Sequence, residues 1–116
     1  MSHDPRKLLE DMRLACERVQ RFTNGLAWEE YESNEMLRAA VERQFEIMGE
    51  ALSRLLKLNA SVASKISEHR RIIGFRNILI HGYDAVDDAI VWDVVKKNLP
   101  TFHREVEALL ATMVPS

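Results

Sequence analysis

The chain has 116 residues, of which 16 are Lys or Arg and 18 are Asp or Glu, so its net charge is −2. This length predicts one domain over residues 1–116, and an apolar fraction of 47% with nearly balanced charge excludes a disordered chain. The single cysteine, Cys16, excludes a disulfide framework, and the longest stretch without a charged residue, residues 108–116, is too short to cross a membrane. We therefore expect a cytoplasmic protein, and its overall charge argues against one that coats DNA.

The first helix is predicted to begin at Asp4-Pro5. The Asp side chain can accept a hydrogen bond from a first-turn amide, and Pro fits the first helical position. Apolar residues then recur every three or four positions as far as Phe22, and Gly25 is expected to end the helix. Residues 26–32 allow one further helical turn, whose aromatic side chains are expected to pack the connection between helices.

A second, longer helix is predicted to begin at Ser33, with one broad apolar face. Glu42, Glu46 and Glu50 recur at four-residue spacing on the opposite side of this helix. A solvated face is the simpler interpretation of such a stripe. Alternatively, one of these carboxylates fixes the side chain of Arg76, and Glu46 is our candidate for that supporting role.

The C-terminal half of the chain is predicted to form two further helices. Residues 59–67 are expected to be a loop with room for one helical turn, and the third helix is predicted over residues 68–81, ended by Gly82. The last helix is predicted to begin near Asp87, and its apolar rhythm passes through Pro100 without a change of phase, which favours one long helix kinked at the proline. The predicted fold is therefore an all-α antiparallel bundle of four main helices.

Charge is distributed unevenly along the chain. Residues 58–83 contain four basic residues and one acidic residue, a net charge of +3, between segments that are each acidic. Three of these basic residues are candidates for contacts with RNA phosphates: Lys65, Arg70 and Arg71. The fourth, Arg76, belongs to a more specific pattern.

Arg76, Asn77, His81 and Tyr83 lie around an apolar run at the end of the third helix. A histidine can take a proton from an RNA 2′-hydroxyl or give one to the leaving oxygen, and an arginine can bind the phosphate and stabilise the transition state. This reaction needs no metal ion. Because one histidine cannot easily act as both acid and base, a symmetric dimer that supplies two copies of each side chain suits the chemistry.

Each of these residues also has a purely structural interpretation. Arg76 could pair with a carboxylate, His81 could interact with the helix C-terminus, and Tyr83 could pack in the turn. The remaining histidines have no second metal ligand at a usual spacing, so we expect neither a metal site nor a cofactor. A buried position is expected for Cys16 rather than a nucleophilic role.

The string Arg76-x4-His81-Gly82-Tyr83 resembles the Arg-x4–6-His signature of HEPN domains, in the Arg-x4-His-x-Tyr form of HepT-like toxins. The flanking residues 73–77 and 90–100 resemble that family too, and the likeness extends over essentially the whole chain. The resemblance implies a HEPN helical bundle that forms a homodimer and cleaves RNA as a metal-independent endoribonuclease. It implies catalytic roles for Arg76 and His81 and a supporting role for Asn77.

The resemblance also implies a protein partner, an antitoxin of the nucleotidyltransferase fold that attaches AMP to the motif tyrosine, here Tyr83. Two alternatives remain at this stage. One is a non-catalytic helical module that binds a nucleotide or a nucleotidyltransferase, and the other is a structural bundle whose Arg76 and His81 only pair with neighbouring groups.

Overall fold

The computed structural model describes residues 4–82, 84 and 86–113, and over these residues the chain is helical, with no strand. A five-residue π-helical segment, Val94–Asn98, connects the last two α-helices. The α-helices, in chain order, are α1 (Pro5–Thr23), α2 (Trp28–Glu32), α3 (Glu35–Leu58), α4 (Ala60–Ala63), α5 (His69–His81), α6 (Asp88–Asp93) and α7 (Leu99–Ala111).

The ends of α1 confirm the prediction from the sequence. The carboxylate of Asp4 accepts a hydrogen bond from the amide of Arg6 at 2.9 Å, and Pro5 occupies the first turn. Gly25 follows the helix with a φ of 75°, a conformation that costs glycine little because it has no Cβ. The short helix α2 is the additional turn that residues 26–32 were expected to allow.

The start of α3 differs slightly from the prediction. Ser33 ends α2 instead of capping the next helix, because it keeps helical dihedral angles and its hydroxyl donates back to the carbonyl of Glu30. Asn34 caps α3 instead, since its side chain accepts a hydrogen bond from the amide of Leu37 at 3.0 Å. Further on, α4 and α5 match the predicted single turn and the predicted third helix.

The C-terminal helix is continuous through Pro100, as the apolar rhythm predicted, but its irregularity precedes the proline. A proline has no amide hydrogen, so it cannot donate to the carbonyl four residues before it. Here the chain widens into the π-helical segment, where the amide of Leu99 donates to the carbonyl of Val94, five residues earlier. The helix then resumes its α geometry with Pro100 in the first turn of α7.

The long helix α3 lies at the centre of the bundle and packs against α1 and α5, while α7 packs against the other side of α1. Tyr31 of α2 is fully buried, and its ring lies 5.1 Å from that of Trp92, so the connection between helices is packed by aromatic rings as expected. Cys16 is also fully buried, and its thiol lies 3.9 Å from the carbonyl oxygen of Leu99. In the described part of the chain, no helix has the length and apolarity needed to cross a membrane.

Candidate active site at the contact of α3 with α5

Helix α5 carries the predicted motif on two different faces. Ile72, Phe75 and Leu79 are buried against the core, which fixes the rotation of the helix about its axis. Asn77 and His81 are therefore exposed, one helical turn apart on the same side. The side chain of Arg76 lies between these faces and is a quarter exposed, at 25%.

Arg76 lies directly over Gly49 of α3. A Cβ added to Gly49 would lie 2.2 Å from the Cβ of Arg76 and 2.8 Å from its Cγ, far inside the distance at which carbon atoms pack. The missing side chain of Gly49 therefore lets the two helices approach at this point. Sequence analysis did not single out Gly49, although a glycine in the middle of a long helix is a signal that another group packs closely there.

The guanidinium of Arg76 is held on both of its terminal nitrogens. Nη2 donates to Oε1 of Glu50 at 2.5 Å, and Nη1 donates to the side-chain oxygen of Asn77 at 3.1 Å. The Nε atom is buried and has no hydrogen-bond partner among the described residues. These contacts fix the orientation of the guanidinium before any ligand binds.

The carboxylate that contacts Arg76 is Glu50, not the predicted Glu46. Glu46 accepts a hydrogen bond from Arg43, three residues earlier on the same helix, at 3.2 Å. The three carboxylates of the stripe thus have different surroundings, and Glu50, which remains 40% exposed, is the one that contacts Arg76. Burial raises the pKa of Glu42 above its usual value, and the nearby carboxylate of Asp88 adds to this effect.

A groove of about 230 Å³ runs beside Arg76 along α3. It has an apolar side, which includes Leu8 and Ile80, and a charged side formed largely by α3. Two arginines of α3 that sequence analysis missed, Arg43 and Arg54, line this groove together with Arg76. A signal for them exists in the sequence, because residues 11 positions apart lie within about 20° of one another on a helix and flank the Glu46–Glu50 pair.

His81 is the last residue of α5 and does not line this groove. Its side chain is exposed, and no hydrogen bond or ion pair joins that side chain to the described part of the chain. The amide of the following Gly82 donates to the carbonyl of Ile78 at 2.8 Å and closes the helix. The predicted modification target, Tyr83, lies outside the described residues.

The other basic residues of the segment are not brought to Arg76. Lys65, Arg70 and Arg71 are exposed, and none forms an ion pair with another described residue. On α5, Arg70 and Arg71 are displaced from Arg76 by roughly 120–140° around the helix axis. None of the three lines the groove, so the RNA contacts predicted for them involve a different surface.

A second polar cluster joins α1 to α7. Nε2 of His103 lies 2.9 Å from a carboxylate oxygen of Glu17, and Nδ1 lies 3.5 Å from one of Glu107. The hydrogen bond to His103, followed by the charge of Arg13, holds the pKa of Glu17 below its usual value. This cluster has donors suited to a metal ion, a possibility that the sequence analysis dismissed although Glu107 is four residues from His103. Arg13 already bonds the Glu17 carboxylate at 3.1 Å, so a hydrogen-bonded contact between α1 and α7 explains the cluster.

Comparison with known proteins identifies a family to which this chain is similar. The profile of the family described as "Ribonuclease HepT-like" matches residues 12–109. A protein of Methanocaldococcus jannaschii, whose name proposes that it is an RNase, is 35% identical over 104 residues, which cover 90% of this chain and 94% of that protein. A protein of Caldanaerobacter subterraneus with a name of the same kind is 32% identical, over 91% of this chain and 94% of its own.

A protein of Thermococcus cleftensis, named as a candidate ribonuclease HepT, is 29% identical over 94% of this chain and 98% of its own. No solved structure matches the chain. The chain belongs to the ribonuclease HepT-like family, and its helical bundle is of the HEPN type. This membership confirms both the family and the ribonuclease class of enzyme expected from the Arg76–His81–Tyr83 motif.

Proposed function

We propose that this protein is an endoribonuclease toxin that cleaves RNA without a metal ion, with Arg76 and His81 as its catalytic residues. The observation that carries the proposal is the orientation and exposure of the Arg76 side chain. Arg76 is oriented by Glu50 and Asn77 and remains partly exposed beside a groove. An exposed histidine, His81, lies at the end of the same helix.

The proposed reaction begins when the His81 imidazole removes the proton from a ribose 2′-hydroxyl. The 2′-oxygen attacks the adjacent phosphorus, the bond from phosphorus to the 5′-oxygen breaks, and a proton is delivered to that leaving oxygen. The guanidinium of Arg76 stabilises the additional negative charge that the phosphoryl oxygens carry in the transition state. The products are a 2′,3′-cyclic phosphate and a 5′-hydroxyl end.

We further propose that the active form is a homodimer, because two histidines divide the roles of base and acid. The apolar side chain of Ile78 supports this proposal. It is 49% exposed and lies about 60° from His81 around the axis of α5, so a surface that covers Ile78 also lies against His81. A second copy placed against this part of α5 would bring the two histidines towards each other.

The proposed protein partner is a nucleotidyltransferase-fold antitoxin that attaches AMP to Tyr83. The support for this step is the position of Tyr83 in the motif, two residues after His81. An AMP group there would add negative charge beside the residues that bind RNA phosphate. Mass spectrometry of Tyr83 after co-expression with a nucleotidyltransferase encoded next to this chain tests the step, and a tyrosine without AMP would contradict it.

Cleavage of a defined RNA in the presence of EDTA tests the catalytic proposal. We expect the Arg76→Ala and His81→Ala variants each to lose at least about 100-fold in rate, as expected for removal of a general acid–base or a charge-stabilising group. Arg104→Ala is a matched control, because Arg104 is exposed on α7 and its side chain donates to Thr101. Equal cleavage by all four proteins would refute the proposal, and tight binding to a nucleotidyltransferase without cleavage would favour the non-catalytic alternative.

A further inference from the structure

Arg54 and Arg76 share one carboxylate. Oε1 of Glu50 accepts from Nη2 of Arg76 at 2.5 Å, and Oε2 accepts from Nε of Arg54 at 2.9 Å. Arg54 and Glu50 belong to α3 and Arg76 to α5, so Glu50 holds two guanidinium groups next to each other across the helix contact. We call Arg54 and Arg76 the arginine pair.

The arginine pair carries the excess positive charge of the groove. Along the rest of its charged side, each carboxylate has its own cation. Arg43 pairs with Glu46 at 3.2 Å, and Asp11 pairs at 2.6 Å with Lys7, which lies just outside the groove. By contrast, one carboxylate faces both members of the arginine pair, which leaves a local charge of +1. An anion that enters the groove is therefore attracted to the arginine pair rather than to the other two ion pairs.

Arg54 also has the donors and the access needed to bind a ligand. A guanidinium has five N–H donors, and within the described residues Arg54 uses only its Nε, for Glu50. Its side chain is 51% exposed, twice the exposure of Arg76. The two Nη groups of Arg54 are thus available to the oxygens of a phosphate.

We infer that Arg54 binds the RNA phosphate next to the one that is cleaved. The inference rests on the proposed ribonuclease function, in which Arg76 binds the reacting phosphate. The Glu50 carboxylate lies between the two guanidinium groups and keeps them apart. Each guanidinium therefore suits an anion of its own, and successive phosphates of an RNA strand supply two neighbouring anions. Arg54 is therefore a substrate-binding residue. It increases the affinity for RNA substrates that are long enough to carry the neighbouring phosphate.

Two substrates separate the flanking phosphate from the reacting one. The first is a dinucleoside monophosphate, which has a single phosphate, and the second contains the same dinucleotide extended by one nucleotide on each side. For the extended RNA we expect Arg54→Gln to raise KM about fivefold and to leave kcat within about twofold. For the single-phosphate substrate we expect no change. Arg54→Lys should recover most of the loss, and Arg104→Gln should behave as the wild type.

Binding of an RNA with a 2′-deoxy sugar at the cleavage site gives a readout that needs no catalysis. We expect Arg54→Gln to reduce the slope of log K against log salt concentration by about 0.7, the value for one contact with a single-stranded phosphate. Equal behaviour of Arg54→Gln and Arg104→Gln in both assays would overturn the inference. An equal KM increase for both substrates, or a fall in kcat alone, would overturn it too, because Arg54 would then act at the reacting phosphate or through Arg76.

The outcomes also separate this inference from the ribonuclease proposal. The wild type could fail to cleave RNA while Arg54→Gln shows the expected smaller slope of log K against log salt concentration. That result would support the phosphate contact and refute catalysis. Cleavage that depends on His81 but not on Arg54 would support catalysis and refute the phosphate contact. If the wild type binds no RNA, both are refuted.

Discussion

Replacement of Gly49 by alanine tests whether the close approach of α3 and α5 positions Arg76. The added Cβ would lie 2.2 Å from the Cβ of Arg76 and 3.2 Å from the carbonyl oxygen of Ile72. Carbon atoms pack at about 3.5–4.0 Å, so the two helices must separate by about 1.5 Å at this point. The atom it meets is the rigid base of the Arg76 side chain, so rotation of a flexible side-chain end cannot relieve the contact.

Two opposing effects decide the stability of this variant. Alanine in place of glycine within a helix contributes about 1 kcal/mol, and overpacking costs about 1–3 kcal/mol. We expect a net loss near 1 kcal/mol, or about 4 °C in Tm for a chain of this size. Activity should fall much further, by about 100-fold, because a displacement of about 1 Å of a catalytic group is sufficient for a loss of this size.

Gly74→Ala is the matched control, because Gly74 lies in α5 two residues from Arg76 and a Cβ added there has no atom within 4 Å. It should gain the helix-propensity term alone, about 1 kcal/mol, and keep its activity within about twofold. Thermal unfolding followed by circular dichroism and the RNA cleavage rate measure both variants. If Gly49→Ala is stabilised as much as Gly74→Ala and cleaves RNA at the wild-type rate, the positioning argument is refuted.

The remaining predictions concern the carboxylates and the thiol. Glu50→Gln should lower kcat about tenfold while the protein stays folded, because the neutral side chain holds the motif arginine less firmly. Glu46→Gln should keep its kcat within about twofold. Equal kcat values for the two variants would contradict the separate roles of Glu50 and Glu46. The pKa of Glu17 is held low by His103, so its contribution to stability is present above pH about 4.5 and is lost as the pH falls through the lower folded pKa. Glu17→Gln should therefore have a Tm a few degrees below that of the wild type at pH 7, and this difference in Tm should close towards pH 3. A difference in Tm that is constant with pH would refute the stabilising role of the ionised Glu17. Burial raises the pKa of Cys16 to about 12, so a maleimide at pH 7.5 should label it only in denaturant, and rapid labelling of the native protein would show that the thiol is accessible.

The sequence predicted the helices well because their boundaries depend on local chemistry. Asp4 and Gly25 act within one turn of the chain, and the apolar rhythm specifies the rest. The start of α3 was displaced because Ser33 and Asn34 are both good caps, and only the end of α2 decides between them. Similarly, the proline was identified as the irregular position of the last helix, but the π-helical segment before it depends on how the neighbouring helices pack.

The site was predictable only as far as one helix determines it. Glu46 and Glu50 lie one turn apart on the same face, so the periodicity of α3 cannot say which of them meets Arg76. That choice depends on the axial offset of α5 against α3, which is set where Gly49 permits the helices to touch. The sequence places Arg54 one turn from Glu50, but its relation to Arg76 depends on the contact of α3 with α5, because it exists only through Glu50.

An arginine that is already paired with a carboxylate is suited to a catalyst for phosphoryl chemistry. Under the proposed function, a diester phosphate with one negative charge in the ground state meets a guanidinium whose charge Glu50 partly compensates, so it binds less tightly than it would to an unpaired arginine. The charge on the phosphoryl oxygens increases in the transition state, and the attraction to Arg76 increases with it. The geometry has meanwhile been fixed in advance by Glu50, Asn77 and Gly49, so no reorganisation of the arginine opposes the reaction. Under the proposed function, the near-neutral balance of the groove favours the transition state over the bound substrate, which a purely basic groove would not do.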